Sequence, residues 1–272
     1  MYNLLKSDLY RLVHGKMLWV ALGCLVVLAA GSGWFVWFGT TLPGASTTSE
    51  LAWDSRTHTY AQLLIEGGVL PIIVSIVVAL LFAGDYETGF AKSVLAGRPR
   101  RAPYFAERLA LCGLLCAAFL FAGALVADAS FAVFGSAYQR IETVGEYWTW
   151  LGLAWLEAVA YVLMTALVAW STRSKAAAVV FAVAIPLGLP YWIVALAASS
   201  LQPAVPVLAD LASWLPTSSA HLLGSGGVGL FAPVGDAALS GLSIPAHVAL
   251  VSCVVAAACC AISLAACRRR DV

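Results

Sequence analysis

Residues 68–84 read GVLPIIVSIVVALLFAG, and residues 85–110 continue as DYETGFAKSVLAGRPRRAPYFAERLA. The first stretch carries no charge over a length that, at about 1.5 Å per residue, reaches the short end of what a bilayer-spanning helix needs. The second gathers Lys92, Arg98, Arg100, Arg101 and Arg108 into one connection. Lys and Arg flanking a span are retained on the cytoplasmic side, so an apolar run giving way to a basic connection reads as a helix leaving the bilayer on that face.

Working outward from this stretch, the same length criterion finds spans at 17–38, 68–84, 109–134, 148–170, 176–201 and 244–267. Composition agrees: 62% of the 272 residues are hydrophobic and 11% charged, where soluble domains carry roughly a quarter charged. Disorder, fibrous repeats and a secreted disulfide scaffold are excluded together. A formal net charge of +1 gives nucleic acid nothing to bind. Cys24, Cys112, Cys116, Cys253, Cys259, Cys260 and Cys267 lie within or at the edges of apolar runs, where a thiol acts as a small hydrophobe.

Six spans put both termini on one side. Lys6, Arg11 and Lys16 precede the first span, Arg173 and Lys175 fill the fourth connection, and Arg268, Arg269 and Arg270 follow the last. With the second connection these are thirteen of the fifteen Lys and Arg, leaving Arg56 and Arg140 for the opposite face. Both termini are therefore expected in the cytoplasm. Trp34, Trp37, Trp148 and Trp150 fit an outer aromatic belt. A secretory signal also starts with charge and an apolar run, but this run continues to Phe38, beyond the ~7–15 residues of a signal core.

Outside the spans, residues 1–16 place Tyr2, Leu5, Leu9, Leu12 and Val13 on one helical arc and Lys6, Ser7, Arg11 and His14 on the other, as in a helix lying in the inner interface. A charged leader with chance periodicity is the alternative. In the connection at 85–108, Phe90, Ala91, Val94 and Leu95 form a short apolar stripe ended by Gly97 and Pro99, and Pro103 suits the first turn of the next helix. So short a stripe cannot bury itself, which suggests docking on a partner or the membrane; retention of scattered cations is the plainer reading. Residues 39–67 read as a solvated loop with a short helix. At 202–243, two apolar stretches too short to span are expected at the outer interface or dipping back into the protein. Pro186 and Pro190 imply a kink in the fifth span.

No phosphate loop, zinc-protease, nucleophile-elbow, paired-cysteine or dinucleotide motif is present. Cys112 and Cys116, four apart, suit small-residue packing better than a metal, and the four histidines form no ligand pattern. Two carboxylates fall inside spans, Asp128 and Glu157, at similar depth from the outer face, so the two can share one polar region. Each costs ~2.5–3.5 kcal/mol at mid-membrane when ionised and unpaired. They read either as polar elements of a substrate path or as interhelical hydrogen-bonding groups.

The segment Glu87, Thr88, Gly89, followed by a basic residue and a helix into span three, resembles the permeases of bacterial ABC exporters of the second type (ABC-2). The opening LLKSDLYRLVHGKMLWV is similar to their N-terminal elbow, and 202–243 to the re-entrant hairpin before their last span. Arg108 stands where many relatives carry Lys, which keeps the charge. The resemblance covers essentially the whole chain and implies an all-α permease of six transmembrane helices forming one transmembrane domain, 1–272, in the bacterial plasma membrane. It implies cytoplasmic ABC ATPase subunits touching the 85–108 coupling loop at Glu87, Thr88, Gly89, Phe90, Val94, Arg98 and Arg101. It also implies a second permease copy or a homologous subunit, and export of an antimicrobial peptide, drug or lipid-linked compound. Such a chain is not itself an enzyme and binds no metal or cofactor, ATP and Mg residing on the partner. The competing classes are a membrane-embedded enzyme using Asp128 and Glu157 as acid and base, and a regulatory or scaffolding membrane protein.

The charge partition makes a direct prediction. Single cysteines in a thiol-free background at Asn3 and Leu95 should label only from the cytoplasm, and those at Thr48 and Ser225 only from outside. Labelling of the Leu95 position from outside would overturn the orientation and the docking surface with it.

Overall fold

A computed structural model describes residues 2–41, 55–89, 102–134, 138, 140–201, 211–231 and 242–269. Among these there is no strand. The helices are α1 (Tyr2–His14), α2 (Lys16–Thr41), α3 (Arg56–Tyr60), α4 (Val69–Glu87), α5 (Ala102–Val133), α6 (Val144–Thr172), α7 (Lys175–Ala184), α8 (Leu189–Leu201), α9 (Pro216–Leu223), α10 (Gly226–Leu230) and α11 (Ile244–Arg269). Among the described residues four stretches, Val69–Glu87, Tyr104–Val133, Val144–Thr172 and Ile244–Ala265, are long and apolar enough to cross a membrane. Two bent pairs, α1 with α2 and α7 with α8, raise the number to six if each is one span. The chain is an all-α, multi-pass membrane protein.

Helix α6 is the hub, packed against α4, α5, α7, α9, α10 and α11. Its start is fixed by a capping box: the Glu146 amide donates to Thr143 Oγ1 at 3.2 Å and the Thr143 amide to Glu146 Oε2 at 2.8 Å. Trp150, Ala154, Ala158, Val162, Ala166 and Ala169 then line its buried side at three- and four-residue spacing. Around this hub, Val20 and Val27 of α2, Leu125 of α5, Trp192 and Leu196 of α8 and Val254 of α11 are turned outward. Apolar side chains exposed on so many helices define a surface solvated by lipid.

The two bends have local causes. Gly15 separates α1 from α2, which diverge by 65°, and the Trp19 indole donates to the Val13 carbonyl at 2.7 Å, satisfying an acceptor at the end of α1. In α1 the residues turned inward are Leu5, Asp8 and Leu12, whereas Leu9 and Val13 are exposed; the apolar arc is narrower than the sequence reading gave it and has a carboxylate at its centre. Helices α7 and α8 meet at 58° across Ile185–Gly188, where Pro186 cannot continue the hydrogen-bond ladder and Gly188 takes φ +80°. The Pro186 carbonyl lies against Gly68, itself at φ +66°, and a Cβ there would come within 3.1 Å of that oxygen.

One sequence expectation is corrected. The 39–67 region is not a solvated loop throughout: α3 and a following π-helical segment, Ala61–Glu66, bury Tyr60, Ala61, Leu64 and Ile65. These four recur at one- and four-residue spacing, a stripe that seats against Trp150 and closes on Gly123, where a Cβ would meet Leu64 at 3.0 Å. In the 202–243 region, α9 and α10 are short and partly buried, and the Trp150 indole donates to the Leu223 carbonyl at 3.0 Å. Of the first apolar stretch, 207–215, the part from Leu211 onward is described; the second, 228–242, lies mostly outside the described residues.

Candidate functional site

At the end of the molecule where α4 finishes and α5 begins, charged side chains from three helices meet in the interior. Arg108 of α5 is 1% exposed. It donates to the Asp85 carboxylate of α4 and reaches Asp8 Oδ2 of α1 at 3.2 Å. Arg11 closes the circuit, with Nη2 2.8 Å from Asp85 Oδ1 and Nη1 3.4 Å from Asp8 Oδ1. The Arg108 guanidinium also lies 5.1 Å from the ring centres of both Phe82 and Tyr104, so ring faces take the place of water around it. Phe82 stacks in turn on Trp170 at 5.3 Å, and Phe105 meets the same indole edge-on at 5.1 Å, which joins the cluster to α6.

The sequence reading missed this cluster. It counted Arg108 among the topological cations and left Asp8 and Asp85 without a role. The usable signal was Asp8 between Leu5 and Leu12 on one helical face, together with an Asp and an Arg at the facing ends of two apolar runs. Glu107, 2% exposed, completes the set, with Oε2 3.9 Å from Arg108 Nε and neither oxygen in a hydrogen bond among the described residues.

The Glu87, Thr88, Gly89 segment lies just beyond this cluster. Thr88 donates through its hydroxyl to the Gly84 carbonyl at 2.8 Å, and Gly89 takes φ +74°, which stops α4. Glu87 pairs with Lys175 Nζ at 2.8 Å and accepts from the Lys175 amide at 3.1 Å, linking the second connection to the start of α7. Both side chains remain about two-fifths exposed, so the pair is open to a partner from outside the chain. Phe90, Val94, Arg98 and Arg101 lie outside the described residues.

Asp128 and Glu157 do not share a polar region. Asp128 faces the opposite end, where it accepts from the Tyr138 hydroxyl at 3.0 Å and lies 3.9 Å from Arg56 Nε. Burial, and then the Asp128 carboxylate, push the Tyr138 phenol above its ordinary value, so it stays a donor. Glu157 is completely buried and accepts from the Ser252 hydroxyl of α11, and its other oxygen has no hydrogen bond among the described residues. Cys112 and Cys116 are buried in the core, and no three metal-ligating side chains converge among the described residues.

No family model matches the chain, and none of the curated proteins compared with it is significantly similar.

The Glu157 geometry is that of a hydrogen bond between α6 and α11. Glu157→Gln should therefore accumulate and resist unfolding like wild type, whereas Glu157→Leu, which strands the buried Ser252 hydroxyl, should lower stability by about 1–3 kcal/mol. A Glu157→Leu variant as stable as wild type in detergent would contradict the packing role.

Proposed function

We propose that the chain is the transmembrane permease subunit of an ATP-driven exporter of the ABC-2 type, with both termini in the cytoplasm of a bacterial cell. The observation that carries this reading is the tie between Asp8, Asp85 and Arg108. The connection proposed to receive the ATPase begins after Glu87 and ends at Ala102, and both of its flanking helices are joined at their roots to each other and to α1. A force applied to that connection would therefore be delivered to α1, α4 and α5 together, and through Trp170 to α6. This is what a subunit without its own ATPase needs in order to turn remote nucleotide chemistry into movement of its spans.

The bent α1–α2 pair and the short α9 and α10 before the last span agree with the resemblance to ABC-2 permeases. The substrate class follows from that resemblance: a hydrophobic or amphipathic molecule such as an antimicrobial peptide, a drug or a lipid-linked compound. The alternative of a membrane-embedded enzyme needs Asp128 and Glu157 at one centre, and their separate partners disfavour it.

Purification of the chain from its native host in mild detergent should bring an ABC ATPase in stoichiometric amount. Replacement of Phe90 and Val94 by Asp should remove that ATPase while leaving membrane insertion normal. A chain that purifies alone, or an ATPase retained with unchanged affinity by the double variant, would overturn the function or the docking surface respectively.

A further inference from the structure

The end of the molecule away from the ionic tie holds a cavity of about 470 Å³ whose walls include Arg56, Tyr138, Arg140, Glu142, Tyr147 and Trp148. The two arginines are the pair that the charge partition leaves for this face, and although they are 84 positions apart in the chain, folding brings both to one wall. Glu142 also lines the cavity, but its carboxylate is taken by α3: the Thr57 hydroxyl donates to it, and the Thr57 amide lies 3.3 Å from each of its oxygens. Thr57 Oγ1 in turn accepts from the Gly227 amide at 2.5 Å, so this acidic group is fixed into the scaffold by α10 as well as α3.

Arg56 is engaged only along one edge. Its Nε is 3.9 Å from Asp128 Oδ1, its guanidinium lies 5.6 Å from the Tyr138 ring centre, and its side chain is 58% exposed. Its two terminal nitrogens carry no hydrogen bond among the described residues. A planar guanidinium held by its base and open at its fork suits a phosphate oxygen pair. Beside it the rim is apolar and turned outward: Ile141 is 97% exposed, Val144 76% and Trp148 56%. Apolar side chains this exposed, next to arginines and an indole at a helix start, have the composition of a membrane interface rather than of a water-facing loop.

We infer that this cavity binds the phosphate of an anionic lipid headgroup in the leaflet at that end, with the open fork of Arg56 on the phosphate, Arg140 adding positive charge at the same wall, and Ile141, Val144 and Trp148 against the glycerol and upper acyl chains. The inference stands apart from the proposed function, because it needs neither an ATPase nor transport.

Native mass spectrometry of the purified chain in neutral detergent, titrated with phosphatidylglycerol, tests it. The wild-type chain should retain one lipid, and Arg56→Gln with Arg140→Gln should weaken retention about tenfold or more, as expected for the loss of one charge-assisted contact and of a neighbouring positive charge. Removing two cations from the other end, by Lys6→Gln with Arg173→Gln, should leave retention of that lipid unchanged. Trp148→Ala keeps both arginines and should also weaken retention; it decides the matter if the arginine variant does not fold. Equal retention in the arginine variant, or in Trp148→Ala when that variant must decide, would overturn the site. Displacement of the lipid by millimolar inorganic phosphate would overturn the lipid in favour of a free anion.

Discussion

A guanidinium removed from water must find its counter-charges within the fold, because its desolvation costs several kcal/mol that only close ionic partners offset, and removing a partner leaves that cost uncompensated. Arg108 is that group in this protein. Its partners are not neighbours in sequence: Asp8 is a hundred residues earlier and Asp85 lies at the end of the preceding span. Satisfying one side chain therefore specifies where α1 docks, how far α4 extends, and at what height α5 enters. The rings of Phe82, Tyr104, Phe105 and Trp170 exclude water from the same place. Hydrophobic association among apolar helices within lipid is weak and unspecific, so a few polar contacts of this kind can fix the arrangement of a bundle.

The opposite end is organised by different means. Thr57 joins α3, Glu142 and α10, and Gly226 at φ +72° lets α10 approach so closely that a Cβ there would lie 2.7 Å from the His58 amide nitrogen. Here the ties run between short segments rather than between spans. One end thus holds the roots of long helices in a charged cluster, and the other gathers short helices over the bundle and leaves two arginines beside a cavity. Between them α6 carries the packing, with Glu157 and Ser252 supplying a polar contact to α11.

Much of this was legible from the chain alone, because long apolar runs and the positions of Lys and Arg report directly on the physics of insertion. The helical class, the bend at Pro186 and the division of the first helical stretch into α1 and α2 follow from the chain's apolar runs, charges and prolines. What was not legible is which charges turn inward. Asp8 was given no place on either face of the amphipathic helix, and Arg108 looked like one more retained cation, since periodicity on one helix does not reveal the helix it meets. The burial of Tyr60, Leu64 and Ile65 was missed for a related reason: the polar residues around them outweighed a stripe only two turns long. The similar depths of Asp128 and Glu157 were arithmetic, but depth says nothing about the direction a helix face points, and the two carboxylates turn to different partners.

The claim on which the account depends is that Asp85 and Arg108 act as a unit. A double-mutant cycle of Asp85→Asn and Arg108→Gln, read as the unfolding free energy of the solubilised chain in mixed micelles, measures this directly. The account predicts that each single change costs about 1–3 kcal/mol, less than the stranding of a lone charge because Arg11 still faces Asp85 and Asp8 still faces Arg108, and that the double variant costs less than the sum of the two, because each substitution removes a partner of the other. Costs that simply add, or single variants as stable as wild type, would contradict it.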